Sequence, residues 1–342
     1  MKFDVVIGNP PYQEEARIRS EQPPIYHHFM ESAYKISDKV CFITPARFLF
    51  NVGGTPKKWN EKMLDDNHLK VEFFEQKSEN VFPGTDIKGG VAITYRDTYR
   101  NFGKIGTFTH FDELNSITKK VLLKFERSLS DIYYSNTAYK YSPLFFSENP
   151  SFENRVSGGS KRYMASSVFE KFPEVFLKQP REDGREYVKI IGRKNNQRTT
   201  LFFDKRYINP PENFYKFKVM LPGSNGSGAI GEVLSTPLVG EPLVGHTETF
   251  ISFGAFEARE EAENLLKYIK TKFVRTMLGV RKVTQGNKNT YVWGLVPLQN
   301  FTPQSDIDWS KSVVEIDQQL YRKYDLDKQE IDFIEEKVRE ME

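Results

Sequence analysis

Apolar residues near the start of the chain gather in short unbroken runs: Val5-Val6-Ile7, Val40-Cys41-Phe42-Ile43, Val71-Glu72-Phe73-Phe74 and Val91-Ala92-Ile93-Thr94-Tyr95. Runs of this length predict strands buried on both faces, and Gly8 with Pro10 and Pro11, then Pro45, predict where the first two end. Between the first two runs, Ile25, Phe29, Ala33 and Ile36 recur at helical spacing behind Pro23-Pro24, and Lys57 to Asp65 suits a second helix. The order strand, helix, strand, helix, strand implies an α/β fold, one part of a doubly wound sheet.

The pattern changes near residue 106. A linking helix is predicted over Asp112 to Leu129, with Leu114, Ile117, Val121, Leu122 and Phe125 as its apolar stripe. Residues 131–250 are rich in Tyr, Phe, Gly, Asn and basic side chains, with β-prone runs at Tyr187 to Ile191 and Phe214 to Leu221, as expected of a mixed α+β module. Glu257 to Leu278 predicts one long helix, with Ala262, Leu265, Ile269, Phe273 and Met277 on one face and Gly279 as its stop. Two short helices come after it, Val313 to Tyr324 and Lys328 to Met341, the second opened by Asp327 and Glu330 at capping-box spacing. The expected divisions are therefore 1–105, 106–130, 131–305 and a helical tail, 306–342.

Charge sharpens this division. The net charge of +3 hides a basic middle: residues 151–230 hold 15 Lys and Arg against 8 Asp and Glu, and residues 264–305 hold 7 basic residues and no acid. The last 37 residues reverse the balance, with 6 basic against 12 acidic. A basic stretch of this kind suits a polyanion, although an unevenly charged solvated surface would read the same. The single cysteine, Cys41, excludes a disulfide within the chain and reads as a small buried hydrophobe. No apolar run is long enough to span a membrane, and Met1-Lys2-Phe3-Asp4 opens no secretion leader, so a cytoplasmic protein is expected. His27, His28, His68, His110 and His246 form no recognisable metal-ligand spacing. Glu75-Gln76-Lys77, with Asp65 and Asp66 upstream, resembles half of a nuclease metal site, but its spacing is loose and the sheet accounts for it.

Candidate chemistry lies in Asn9-Pro10-Pro11-Tyr12, expected at the C-terminal tip of a strand, where open α/β sheets bind ligands. Two prolines supply carbonyls without amide hydrogens, so with the Asn9 side chain they form a stiff rim of acceptors. Such a rim suits a planar amino group with two hydrogens to donate, and Tyr12 offers a flat face for its ring. Asn209-Pro210-Pro211-Glu212 repeats three of the residues but lacks the aromatic and the preceding apolar run, and reads as a loop.

Asn-Pro-Pro-Tyr resembles the catalytic motif of the adenine-specific DNA methyltransferases of bacterial restriction-modification systems, in the gamma-type order with catalysis before target recognition. The resemblance implies that Asn9 and Pro10 accept the amino hydrogens of a flipped adenine, beside Pro11, and that Tyr12 stacks on the base, with Tyr95 on its other side. It extends to Arg47-Phe48-Leu49-Phe50, Phe82 to Tyr95, Thr247-Glu248-Thr249-Phe250, Val292-Trp293 with Val296-Pro297, and Asp308-Trp309-Ser310. It implies S-adenosyl-L-methionine (AdoMet) as methyl donor and double-stranded DNA as partner; the basic and amide side chains of Arg193, Lys194, Asn195, Asn196, Arg198 and Lys282, within the stretch 151–305, are of the types suited to phosphates and base edges and are expected to contact it. A complete member carries, ahead of this strand, a glycine-rich AdoMet loop and an acid for the ribose. Neither is seen here, which leaves three readings open, a truncated gene, a fragment, or one half of a split enzyme completed by a second polypeptide; that polypeptide or a restriction subunit is an expected partner, and this chain alone is expected to bind AdoMet poorly and to be inactive. The glycines from Gly223 to Gly231 do not replace that loop, because Pro237 and Pro242 interrupt the segment where a helix would have to start; a hairpin or DNA-facing loop is expected there. Two other readings stay open: a non-catalytic DNA-specificity module, and a methyltransferase acting on a protein glutamine.

Overall fold

The computed structural model describes residues 2–14, 23–51, 54–87, 89–156, 158–225, 230–282 and 286–341. The chain divides into two compact units, Met1–Asn115 and Ser116–Glu342. Together they are a mixed α/β protein of several sheets and helices.

Unit one is built on four strands, β1 (Val6–Gly8), β2 (Lys39–Pro45), β3 (Leu69–Glu75) and β4 (Val91–Asp97), in the order β1-β2-β4-β3. β1 runs parallel to β2, whereas β4 lies between β2 and β3 and is antiparallel to both. Helices α1 (Tyr26–Ile36) and α2 (Lys57–Leu64) supply Tyr26, Met30, Ala33, Trp59 and Met63 to one core, which also takes Val40, Phe42, Phe48 and Ala92. Each of the fully buried Met30 and Phe48 side chains contributes roughly 2 kcal/mol by leaving water. α1 begins without a side-chain cap; instead the Ile25 amide donates to the Tyr12 carbonyl, 3.1 Å away.

Strand register decides which residues share the second face of this sheet. Ile7, Cys41 and Tyr95 stand side by side, as do Ile43, Ile93 and Phe73. Among the described residues this face has no helical cover: Ile7 is 74% exposed, Val5 47% and Phe73 44%. The expectation that Val5 to Ile7 is buried on both faces is thus corrected. β1 is an edge strand, and only Val6 packs inward. Cys41 is half-buried on the same face, its thiol pushed up by burial and by Glu72.

Unit two receives most of helix α3 (Asp112–Leu123), so the predicted linker is not a separate body. Its strands are β5 (Tyr133–Tyr134), β6 (Lys140–Tyr141), β7 (Tyr187–Lys194), β8 (Gln197–Asp204), β9 (Ile208–Asn209), β10 (Phe217–Pro222), β11 (Leu238–Gly240), β12 (Val244–His246) and β13 (Phe250–Phe256). They form sheets in the orders β11-β10-β13-β5, β12-β7-β8 and β6-β9. With α4 (Pro143–Glu148) and α5 (Val168–Lys171), they enclose an aromatic core of Tyr139, Tyr141, Phe145, Phe169, Phe172, Phe203 and Phe214. A buried hydrogen-bonded chain links them: the Tyr139 hydroxyl donates to Asn213 Oδ1 at 3.0 Å, Asn213 Nδ2 donates to Ser252 Oγ at 3.0 Å, and His246 Nε2 lies 3.1 Å from the same oxygen.

The single helix expected from Glu257 to Leu278 is two, α6 (Arg259–Lys270) and α7 (Lys272–Arg281). Thr271 breaks it with extended backbone, and its side chain caps α7 by accepting from the Val274 amide. Asp317 adds a second cap, its carboxylate accepting from the amides of Lys272 and Phe273 at 2.9 Å each. Gly279 does not stop the helix but lies inside α7, close against Ile230. A short α8 (Thr290–Trp293) precedes α9 (Val313–Lys323) and α10 (Lys328–Lys337). The expected capping box of Asp327 and Glu330 opens α10, and Ser312 with Glu315 forms another at α9. The tail belongs to unit two, where Lys120 reaches Asp327 and Glu330 at 3.0 and 2.7 Å. No helix among the described residues is long and apolar enough to cross a membrane.

Candidate active site and nucleic-acid surface

β1 ends at Gly8, so Asn9 to Tyr12 leave the sheet at the edge where β1 and β2 both finish. The segment does not float. Gln13 bridges to Pro24, and the amides of Glu14 and Ile25 donate to the carbonyls of Pro23 and Tyr12, tying the turn to the start of α1. Asn9 and Pro11 are exposed, Pro10 is buried and Tyr12 half-buried. A fixed turn thus presents an accessible amide beside a ring. Burial pushes the Tyr12 hydroxyl above its ordinary value, and the neighbouring Asn9 side chain draws it part of the way back. That hydroxyl makes no hydrogen bond of good geometry among the described residues.

The same edge carries a feature that periodicity misses. Gly90, at φ +76°, accepts from the Ala46 amide at 3.0 Å, and a Cβ on it would collide with the Glu75 carbonyl oxygen. Gly89, at φ +88°, lies against the Arg47 side chain, where a Cβ would come within 2.8 Å of Cγ. The Gly89-Gly90 pair is what lets β4 start hard against the ends of β2 and β3; the only sequence signal was the doublet itself.

Tyr95 is not brought to this edge. Because β4 is antiparallel, its C-terminal half runs away from Asn9; Tyr95 lies opposite Cys41, level with Ile7 rather than with the turn. Its hydroxyl donates to Asp97 at 3.0 Å and its ring packs near Phe102. Glu75 accepts from the Lys77 amide at 2.8 Å, an ordinary turn, and no cluster of His, Cys, Asp or Glu suited to a metal occurs among the described residues. Asn209 forms part of β9 and pairs with Lys140, so the second Asn-Pro-Pro begins in a short strand rather than a loop.

AdoMet is cradled where a glycine-rich turn opens a helix, whose amides face the ligand. Among the described residues of unit one, no glycine-rich turn leads from a strand into a helix N-terminus, the arrangement that cradles such a cofactor. The Gly223 to Gly231 stretch is fastened elsewhere in unit two: Gly223 donates to Thr249 at 2.8 Å, and Gly231, at φ +72°, abuts Val338. Residues 226–229 within it lie outside the described residues.

Among the expected DNA contacts, the structure separates two groups. Arg193, Lys194, Asn195 and Asn196 lie together at the β7–β8 turn, with Arg193, Asn195 and Asn196 exposed. Arg198 is engaged within unit two, donating to the Thr236 carbonyl at 2.6 Å with its guanidinium over the Phe250 ring. Lys282 corrects the expectation: its side chain is only 4% exposed, donating to the Asn225 carbonyl at 3.1 Å and pairing with Glu232 at 3.3 Å. Arg275 and Lys272 in the same basic stretch are also buried, against backbone carbonyls and Glu335. Charge along 264–305 is therefore largely consumed inside the fold.

Similarity to known proteins covers parts of the chain. Residues 1–82 match the family of the Eco57I restriction-modification methylase. An uncharacterized adenine-specific methylase of Mycoplasma pneumoniae is 28% identical over 124 residues, covering 33% of this chain and 29% of that protein. The telomere resolvase ResT of Borreliella burgdorferi is 24% identical over 147 residues, covering 43% and 29%. The chain thus matches about three tenths of the length of these curated relatives. Two solved structures are loosely similar. The type IIG restriction endonuclease BpuSI gives a TM-score of 0.28 at 10% identity over 86% of this chain and 44% of that one. The type IIL restriction-modification enzyme MmeI, solved with DNA, gives 0.33 at 11% over 98% and 56%. Likenesses this loose carry no argument about the chain.

Proposed function

We propose that the chain, whose residues 1–82 match the Eco57I restriction-modification methylase family, is the catalytic and DNA-recognising part of an adenine-specific DNA methyltransferase. The observation that carries the reading is the turn Asn9-Pro10-Pro11-Tyr12, held at the strand end with its amide exposed and its aromatic ring half-buried. In this reading the Asn9 side chain and the Pro10 carbonyl accept the two hydrogens of the adenine amino group, which turns the nitrogen lone pair out of conjugation. Tyr12 stacks on the base once it has left the duplex, repaying part of the few kcal/mol that flipping costs. The chain's contribution is orientation and fixed dipoles rather than a covalent intermediate. The methyl donor is AdoMet, most of whose binding contacts would come from outside the described residues. Unit two carries the DNA-facing basic residues, so duplex binding weakens with salt as counterions are released.

The test is transfer of radiolabelled methyl groups from AdoMet to duplex DNA, assayed with this chain alone and with the polypeptide encoded beside it. Asn9→Ala and Tyr12→Ala are each expected to lower transfer by about 100-fold or more while leaving duplex binding nearly intact. Equal losses of binding and transfer would mean that these residues only support the fold. Methylation of a glutamine-bearing release-factor-like protein, with none of DNA, would move the chemistry to the other planar amide.

A further inference from the structure

The β7–β8 ribbon ends in exposed amide side chains that make no hydrogen bond among the described residues. Its strands pair in continuous register from Tyr187–Asp204 to Lys194–Gln197. The neighbouring strand β12 accompanies β7 only as far as Ile191, so the end from Gly192 to Thr199 projects as two strands alone. Its base is fixed: Gly192 sits so tightly against Phe169 and Thr247 that no side chain would fit, and Arg198 is tethered to the Thr236 carbonyl. Its tip is fixed too. Asn195 and Asn196 both adopt left-handed backbone, φ 50° and 61°, as a two-residue hairpin turn requires, and Arg193 donates to the Asn196 carbonyl at 2.9 Å across it.

What remains free is specific. Among the described residues nothing bonds to the exposed side-chain amides of Asn195, Asn196 and Gln197. From Val188 to Phe203 the ribbon carries Lys189, Arg193, Lys194 and Arg198 and no acid. Amide side chains are the ones whose donor and acceptor match the edge of an adenine, and a two-stranded ribbon fits the major groove of duplex DNA. We infer that the projecting ribbon enters the major groove, that Asn195 and Asn196 read base edges there, and that Lys194 holds the flanking phosphates. The inference rests on the reading of the chain as DNA-binding.

The test uses the full chain and a randomised duplex library, from which bound sequences are selected and read, with total duplex affinity measured in parallel. Asn195→Gly with Asn196→Gly keeps a turn that tolerates left-handed backbone and removes both amides. It is expected to erase sequence preference at one or two positions, by about ten-fold or more per position, while affinity for a mixed-sequence duplex changes little. Lys194→Gln should instead weaken all sequences alike and flatten the salt dependence. An unchanged preference in the double-glycine variant, with the parent still selecting a sequence, overturns the assignment of the ribbon alone. A parent chain that binds no duplex overturns the DNA reading and the ribbon with it.

Discussion

Lys218 shows how far a residue's role can depart from its type. A lysine between apolar neighbours in β10 looks like a surface charge; here it is fully buried, its Nζ donating to the carbonyls of Glu241 and Lys216 at 2.9 and 3.2 Å. Burial lowers its pKa to about 7, against a smaller upward pull from Glu241. The unfolded chain therefore holds a proton that the folded chain has lost between about pH 7 and the ordinary lysine value, and stability rises with pH across that window. Lys218→Met should remove this slope, up to about 1 kcal/mol per pH unit, and the difference in melting midpoint between parent and variant from pH 7 to 9.5 measures it. Lys282 was misread for the same reason: sequence gives a charge but not its partner, here Glu232, fifty positions away. The strand end ahead of Asn9 to Tyr12 was legible because the two prolines restrict the backbone whatever surrounds them.

At the level of elements, the apolar stripe from Ala262 to Met277 stays in phase across the break at Thr271, so periodicity alone could not reveal two helices. What divides them is a carboxylate from α9, Asp317, which supplies the acceptor that the amides of Lys272 and Phe273 need. Removing it leaves two buried donors at a helix start. Asp317→Ala should cost about 2 kcal/mol, read from urea unfolding of the full chain, whereas Lys328→Ala, at an exposed position of α10, should cost almost nothing. Strand existence in unit one was legible from short apolar runs. Strand direction was not, because an apolar run reads the same both ways, and with the direction of β4 went the expected position of Tyr95.

For the whole molecule, a change of pattern near residue 106 was legible in the sequence, and the two compact units divide close to it, at Asn115. The exposure of Val5, Ile7 and Phe73 on one face of the first sheet was not, since all three look like core residues in any sequence. That face and the β1 edge also bear on the cofactor. In the proposed reading Asn9 to Tyr12 meet only the reacting end of AdoMet, so titration calorimetry of this chain with AdoMet is expected to show weak binding or none. The signal should rise on adding a polypeptide that pairs with β1 and brings a glycine-rich turn. Tight binding by the chain alone would place a cofactor site among residues given no such role here.

The antiparallel β4 has a consequence for synthesis. β2 and β3 are complete by Glu75, yet they do not touch each other in the sheet; the strand between them is made last and fills the gap. A nascent chain that has emerged through β3 therefore exposes two strand edges with nothing to pair them, a state open to wrong partners. Slowing translation once β3 has cleared the ribosomal exit tunnel, while β4 is still inside it, should therefore lower the soluble yield more than slowing it after Asp97 has cleared.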